Sequence, residues 1–197
     1  MEERTRLRMH PERSVPDEVD AILTAGLVAH LGFSIDGQPY VIPMLYHYDP
    51  APPVPEGGEG RRGRLYLHGG TKSRAMRHLA SGAPVCVTVT HLDQLVYSKT
   101  ALDHSANYRS AVCLGTGRLI EDPAEKNDLL ERMVSRYFDG RRVGEDYQRA
   151  TTQHLKATAL VEIRIEAASG KMRVGDPNGP DDSDPDALGT AGLVDVR

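Results

Sequence analysis

Strand-like segments dominate this sequence, because apolar and polar residues alternate, or β-branched residues cluster, in short runs. These runs cover residues 27–35, 38–48, 64–68, 84–91, 108–121 and 157–165. Asp36-Gly37 separates the first two, and this dipeptide predicts a two-residue hairpin. Since hairpins rather than long helices join the strands, a doubly wound parallel sheet is disfavoured. The sequence predicts a mainly β protein, a small antiparallel β-barrel with flanking α-helices.

Three helices are expected at the periphery of this barrel. Ser14 and Pro16 form a helix start, and Gly26 is placed to end that helix. A second helix is predicted over residues 73–81. The third starts at a capping box, Asp122-Pro-Ala-Glu125, and carries one apolar stripe made of Leu130, Met133, Val134 and Tyr137.

The chain divides into one domain with two flanking segments. Residues 14–173 form the predicted barrel domain, and residues 1–13 form an N-terminal arm. Residues 174–197 are acidic and rich in Pro and Gly, which predicts an extended or disordered tail. Residues 50–63 are also rich in Pro and Gly, and we expect them to form a mobile surface loop that lengthens a hairpin.

Composition excludes several classes of protein. The chain has 24 Lys and Arg against 28 Asp and Glu, a net charge of −4, which argues against nucleic acid as a partner. No apolar run reaches the ~20 residues of a membrane helix, and the charged first residues, with no apolar segment behind them, do not predict a secretory signal. Cys86 and Cys113 lie in apolar runs, as reduced core cysteines do. We therefore expect a cytoplasmic protein.

The segment LYLHGGTKSR at residues 65–74 holds the most informative motif. A strand ends there, two glycines allow the backbone to approach a ligand closely, and Lys72, Ser73 and Arg74 stand where a helix starts. This arrangement suits a phosphate group, although it is neither a Walker A loop nor a G-x-G-x-x-G motif. The alternative is a solvated turn with basic residues.

Tyrosine and histidine are concentrated in one part of the chain. Residues 40–108 hold six of the eight tyrosines and five of the eight histidines, while Trp is absent. Such amphipathic rings line half-polar cavities or interfaces, but ordinary strand propensity also explains them. No spacing typical of a zinc site or a hydrolase triad occurs. His68 closes the strand beside the basic loop, either as a structural residue or as a functional one.

Three blocks in the right order resemble the pyridoxamine 5′-phosphate oxidase-like flavoproteins, nearest the nitroimidazole-resistance (Nim) branch. They are QPYVIPMLY at residues 38–46, LYLHGGTKSR at residues 65–74, and NYRS at residues 107–110 with Gly115 and Gly117 after it. The resemblance implies an FMN-binding split β-barrel that forms a homodimer, with FMN at the subunit interface. The oxidases close their substrate pocket with a Trp, which this chain lacks, so the resemblance implies a relative of the oxidase.

The same resemblance assigns roles to individual residues. Val41, Ile42 and Pro43 run along the isoalloxazine ring, and His68 sits at its edge. Lys72, Ser73 and Arg74 hold the phosphate. Arg109 and Ser110 reach the flavin or its phosphate from the neighbouring strand, and His68 or Tyr108 is the proton donor in catalysis. The resemblance thus implies ten site residues: Val41, Ile42, Pro43, His68, Lys72, Ser73, Arg74, Tyr108, Arg109 and Ser110.

Two functional hypotheses follow from these residues and the resemblance. The first is an FMN-dependent oxidoreductase that reduces a small aromatic or nitro-aromatic compound. The second is a non-catalytic carrier or sensor on the same barrel that holds haem, a deazaflavin or a flavin, with His68 as a possible haem ligand. A homodimer suits both, because dimerisation would cover exposed strand edges.

Overall fold

The computed structural model describes residues 3–51 and 63–196. Within them, eight strands follow in order: β1 Ala29–Ile35, β2 Gln38–Met44, β3 His47–Asp49, β4 Arg64–Gly70, β5 Pro84–Tyr97, β6 Ser105–Ile120, β7 Thr158–Arg173 and β8 Gly192–Asp195. The α-helices are α1 Val19–Ala25, α2 Arg74–Ala80, α3 Pro123–Tyr137 and α4 Thr152–Ala157. The predicted mainly β class is confirmed. Most of the predicted loop at residues 50–63 lies outside the described residues.

The hairpin between β1 and β2 turns at Asp36-Gly37, as predicted. Both turn residues have positive φ, 51° and 79°, which matches a type I′ turn. Ile35 pairs with Gln38 directly across the turn, and the register continues to Ala29 opposite Met44. The turn therefore determines which side chains of β1 and β2 are neighbours.

The strands form one antiparallel sheet in the order β2-β1-β5-β6-β7-β4-β3, and β8 pairs with the end of β5. The outermost strands, β2 and β3, are consecutive in the chain and are separated by Leu45 and Tyr46 alone. This short link requires the sheet to curl until its two edges lie near each other without pairing. The result is a barrel split along one side. The single strand predicted over residues 38–48 is wrong, since it breaks at this link.

Tyr46 stabilises the break between β2 and β3. Its N–H donates to the Tyr137 hydroxyl (2.9 Å), and its own hydroxyl donates to the carbonyl of Leu23 (2.6 Å). The Arg136 guanidinium lies 4.6 Å from the centre of its ring. Burial raises the pKa of Tyr46 to about 12, so the hydroxyl keeps its proton. Helix α3 thus supplies partners for backbone groups that strand pairing leaves unmet.

Two apolar clusters lie on opposite faces of the sheet. The larger fills the barrel and includes Leu31, Phe33, Leu65, Leu67, Val87, Val89, Val161 and Ile163, with Ile22 and Leu23 from α1 and Met76 and Leu79 from α2. The smaller lies under α3 and consists of Tyr66, Ile120, Leu129, Met133 and Leu160. Helix α3 starts as predicted, because the Asp122 carboxylate accepts a hydrogen bond from the N–H of Glu125 (2.8 Å).

Gly115 marks the predicted irregularity in β6. The register with β7 shifts between Leu114 and Gly115. A Cβ on Gly115 would collide with the carbonyl oxygen of Arg164, and one on Gly117 would collide with the carbonyl oxygen of Leu79. Only glycine allows β7 and α2 to approach β6 this closely.

The tail prediction misses β8. The chain returns after residue 174 and adds β8 to the edge of β5. Asp182 anchors this return, since its carboxylate accepts hydrogen bonds from the Ser98 hydroxyl (2.7 Å) and the Lys99 N–H (2.9 Å). Helix α4 was also not predicted. No helix in the described ranges is long and apolar enough to cross a membrane.

A buried carboxylate on the outer face of the barrel links three strands through arginine side chains. Glu162 on β7 is 1% exposed and accepts hydrogen bonds from Arg64 (3.2 Å), Arg118 (3.2 Å) and Arg164 (2.9 Å). These arginines lie on β4, β6 and β7. Burial by itself would raise the pKa of Glu162, but the hydrogen bonds and charges of the arginines outweigh it and lower that pKa.

We predict that Glu162→Gln lowers the free energy of unfolding at pH 7 by about 2 kcal/mol, because it removes charge-assisted hydrogen bonds from a buried site. A lowered pKa in the folded state stabilises the protein above pH ~4.5 and stops doing so as the pH falls through the folded value. The difference between wild type and variant, measured by urea denaturation, should therefore shrink at pH 3. Glu166→Gln, at an exposed position on β7, is the control. An equal difference at both pH values would contradict the prediction.

Candidate functional site

The basic loop between β4 and α2 is held by its backbone, so its polar side chains remain available. The N–H of Thr71 donates to the carbonyl of Ala157 (3.0 Å), and the N–H of Ser73 donates to that of Gly70 (2.9 Å). The Ser73 hydroxyl does not cap α2. Lys72, Ser73 and Arg74 are all exposed. Since α2 has only seven residues, the attraction for an anion comes from the two cations.

Arg74 connects this loop to strand β2. Its guanidinium carbon lies 4.6 Å from the centre of the Tyr40 ring, a cation–π contact. Tyr40 belongs to the same strand as Val41, Ile42 and Pro43. One chain therefore brings together the residues predicted for the phosphate and those predicted for the isoalloxazine ring.

Strand β2 presents an unpaired edge. Within the described ranges it pairs with β1 and with no strand on its other side. Ile42 faces the core, whereas Val41, 68% exposed, and Pro43 face outward. Backbone N–H and C=O groups on this outer edge can bind a ligand that lies along it, and Pro43 offers a carbonyl but no N–H.

His68 lies on the outer face of the barrel near the end of β4. It pairs across the sheet with Leu160, which in turn pairs with Ile120. His68 is exposed to solvent, yet desolvation by its surroundings lowers its pKa. His68 is therefore neutral at pH 7, a state in which one ring nitrogen is a donor and the other is free to accept a proton or ligate a metal.

Tyr108, Arg109 and Ser110 lie at the other end of β6. Arg109 is eleven residues from Ile120, the β6 residue level with His68. At ~3.3 Å per residue this corresponds to about 35 Å along the strand. A single chain therefore does not bring these three residues together with His68 or the basic loop.

Arg109 forms an ion pair with Asp93, a residue that the sequence pattern does not single out. It donates to both carboxylate oxygens of Asp93 (2.7 and 3.0 Å). The hydrogen bond from Arg109 lowers the pKa of Asp93. Asp93 stands at a β-bulge in β5, so its side chain does not follow the alternation that a sequence pattern reveals.

The clustered tyrosines divide between structure and site. Tyr46, Tyr48 and Tyr66 are buried, and burial raises the pKa of each. They serve packing. The ring of Tyr40 contacts Arg74, a residue of the basic loop.

A cavity of about 320 Å³ lies between α3 and residues 147–154. Leu130, Val134 and Tyr147 give it an apolar side, and the ion pair between Arg149 and Glu131 (2.7 Å) gives it a polar one. It contains none of the predicted site residues.

A split antiparallel barrel with a cation-rich loop beside an unpaired edge strand defines a cofactor-binding class of protein. The family model for pyridoxamine 5′-phosphate oxidase matches residues 16–172. The chain therefore belongs to the pyridoxamine 5′-phosphate oxidase family, a family of flavin-binding split barrels, as predicted. No curated protein sequence matches it significantly.

Several solved structures are similar to this one. The FAD and haem binding protein from Mycobacterium smegmatis is 30% identical, with a TM-score of 0.76 and coverage of 93% of this chain and 84% of that one. A flavocytochrome from Azotobacter vinelandii is also 30% identical, with a TM-score of 0.82 and coverage of 100% and 85%. A protein from Bacteroides thetaiotaomicron, proposed to act in 5-nitroimidazole antibiotic resistance, is 23% identical (TM-score 0.58, coverage 80% and 85%) and shows the fold alone.

We predict that His68 titrates below pH 6.5, because its surroundings disfavour the charged imidazolium. The pH dependence of the histidine ring signals in an NMR titration measures this, and the signal lost in His68→Gln identifies the residue among the eight histidines. A midpoint at or above 6.5 for that signal would show that the ring is not desolvated.

Proposed function

We propose that this protein is an FMN-dependent oxidoreductase. The observation that carries the proposal is the contact between Arg74 and Tyr40, because it joins the cation-rich loop to the unpaired edge of β2 in one chain. The side chains fit the cofactor. A flavin phosphate is a dianion, and this loop presents two cations and a hydroxyl beside an edge that can bind a flat polar ring.

Each residue of this site has a defined task. Lys72 and Arg74 neutralise the phosphate, and the Ser73 hydroxyl donates a hydrogen bond to it. Backbone groups of Val41 and Ile42 bind the polar edge of the ring, and Pro43 limits the number of donors there. When bound, FMN supplies the transfer of electrons to a small acceptor, for which we propose an aromatic or nitro-aromatic compound. His68, neutral at pH 7, holds a proton on one ring nitrogen at the edge of this site.

A second copy of the chain would complete the site. Tyr108, Arg109 and Ser110 are too far along β6 to reach the loop of their own subunit. An outward sheet face with mostly uncharged side chains runs from β2 to β8, and His30 and Lys171 also lie on it by the strand register. By the strand register it includes Val41, Gly32, Cys86, Leu114, Thr88, Val112, Leu92, Leu95 and Val194. We propose that two chains pack through this face and that each contributes Arg109 and Ser110, and Tyr108 as a second proton donor, to the other's flavin.

The thiol of Cys86 suits the compartment that we propose. Cys86 and Cys113 form no disulfide, and burial raises the pKa of Cys86, which makes it less reactive. Both properties fit a protein of the reducing cytoplasm.

Haem binding is a second candidate, favoured by His68. The two 30% identical structures are a protein described as binding FAD and haem and a flavocytochrome. A histidine that ligates haem iron must be neutral and accessible, and His68 is exposed and has a lowered pKa. In this alternative the protein carries electrons or senses a ligand, with or without a flavin on the same barrel.

We predict that the purified protein is yellow and shows the two visible absorption bands of oxidised flavin. Acid extraction and chromatography identify the cofactor as FMN, FAD or a deazaflavin. His68→Ala should keep these bands, because the loop and β2 hold the flavin, and should lower the rate of nitro-aromatic reduction by about 10²-fold, a typical loss for a proton donor. The double variant with Lys72→Ala and Arg74→Ala should not retain the flavin, because it lacks both cations that neutralise the phosphate.

The haem alternative predicts a different spectrum. A Soret band that disappears in His68→Ala and returns with added imidazole would establish His68 as the ligand. A colourless protein that binds neither FMN, FAD nor haem on addition would contradict both candidates.

We predict that wild-type protein sediments as a dimer and that Leu95→Arg sediments as a monomer, because a charge would be buried in an apolar interface. Leu95 is 49% exposed in the single chain and lies opposite Val194. The variant should also bind flavin more weakly, since Arg109 and Ser110 of the second copy are lost. Leu188→Arg, in the tail, is the control. A wild-type monomer with full flavin occupancy would contradict the shared site.

A further inference from the structure

Arg74 is the end of a stack of four side chains. Its guanidinium lies on the ring of Tyr40 (4.6 Å), and Tyr40 stacks on Phe33, with ring centres 5.3 Å apart and planes at 21°. The ring of His78 packs on Phe33 at 4.9 Å. Arg74 and His78 are one turn apart on α2, so that helix holds the Phe33–Tyr40 pair with two side chains.

This stack restricts a cation that would otherwise be mobile. An exposed arginine samples many rotamers and loses that freedom when it binds a ligand. Phe33 is 6% exposed and cannot move away, so Tyr40 is supported from below. A guanidinium held over a ring by its carbon still has N–H groups that can reach an anion.

We propose that Tyr40 is a positioning residue that holds Arg74 for the phosphate on the ribityl chain, a group that FMN and FAD share and riboflavin lacks. The inference rests on the proposed flavin site and adds the origin of its selectivity. Tyr40 acts through Arg74 and recognises the phosphorylated flavins, while the isoalloxazine ring is bound elsewhere on β2.

The test measures the dissociation constants of FMN, FAD and riboflavin for flavin-free protein, by quenching of flavin fluorescence. Tyr40→Leu should raise the dissociation constants of FMN and FAD by the same factor, about 2- to 30-fold, which corresponds to the free energy of a cation–π contact. Riboflavin should bind as it does to wild type. Tyr40→Phe keeps the aromatic face and should restore the preference for the phosphorylated flavins.

Arg74→Lys provides an independent variant at an exposed position. It keeps the charge and loses the guanidinium that contacts the Tyr40 ring, so it should also reduce the preference for FMN over riboflavin. In the Arg74→Lys background, Tyr40→Leu should have little further effect on FMN, because the two residues act as one unit. Circular dichroism and thermal unfolding show whether each variant is folded. If Tyr40→Leu does not fold, Arg74→Lys and Tyr40→Phe decide.

Two results would overturn the inference while leaving the flavin site intact. Equal weakening of FMN and riboflavin in Tyr40→Leu would show that Tyr40 only supports β2. An unchanged preference for FMN in Arg74→Lys would show that the stacked geometry is not what recognises the phosphate. Wild-type protein that binds none of the three flavins would contradict the proposed function itself, and the inference with it.

Discussion

The candidate site depends on the interruption of the sheet at Tyr46. A continuous strand over residues 38–48 would leave β4 without the partner that β3 provides at the opposite edge of the sheet. At the break, buried polar groups bond to two helices rather than to another strand: the N–H of Tyr46 donates to the Tyr137 hydroxyl of α3, and its hydroxyl donates to the Leu23 carbonyl of α1. The hydrogen bonds of Tyr46 hold this break, and no ladder of hydrogen bonds joins β2 to β3. The outer edge of β2 therefore keeps backbone groups that no described strand pairs with. That edge is the part of the fold a flat polar ring can use.

The register of β6 divides the predicted residues into two groups. The basic loop and His68 lie at one end, and Tyr108, Arg109 and Ser110 lie about 35 Å along β6 from the level of His68. On β2, Pro43 is level with Val112, two residues from Ser110. The separation of Arg109 from His68 along β6 supports the proposal that two chains assemble the site.

Much of the fold could be predicted because its signals are local. Asp36-Gly37 sets the hairpin, and the hairpin register places Phe33 opposite Tyr40, so even the aromatic pair under Arg74 was within reach of sequence reasoning. Arg74 and His78 share a helix face for a similar reason. The ion pair between Arg109 and Asp93 was not within reach, because a β-bulge breaks the alternation there. Strand β8 was hidden in an acidic tail, since its pairing with β5 comes from a segment about a hundred residues away in the chain.

The sequence by itself determined the strands, the tight turn and the composition of the basic loop, since each follows from the conformational preferences of neighbouring residues. The family resemblance also came from such local blocks. Only the tertiary structure decided that β2 and β3 separate at Tyr46, that Arg74 lies on Tyr40, and that Arg109 is remote from Lys72. These features depend on contacts between segments far apart in the chain, whose geometry is set by packing of the whole barrel and is not encoded in any short stretch of residues.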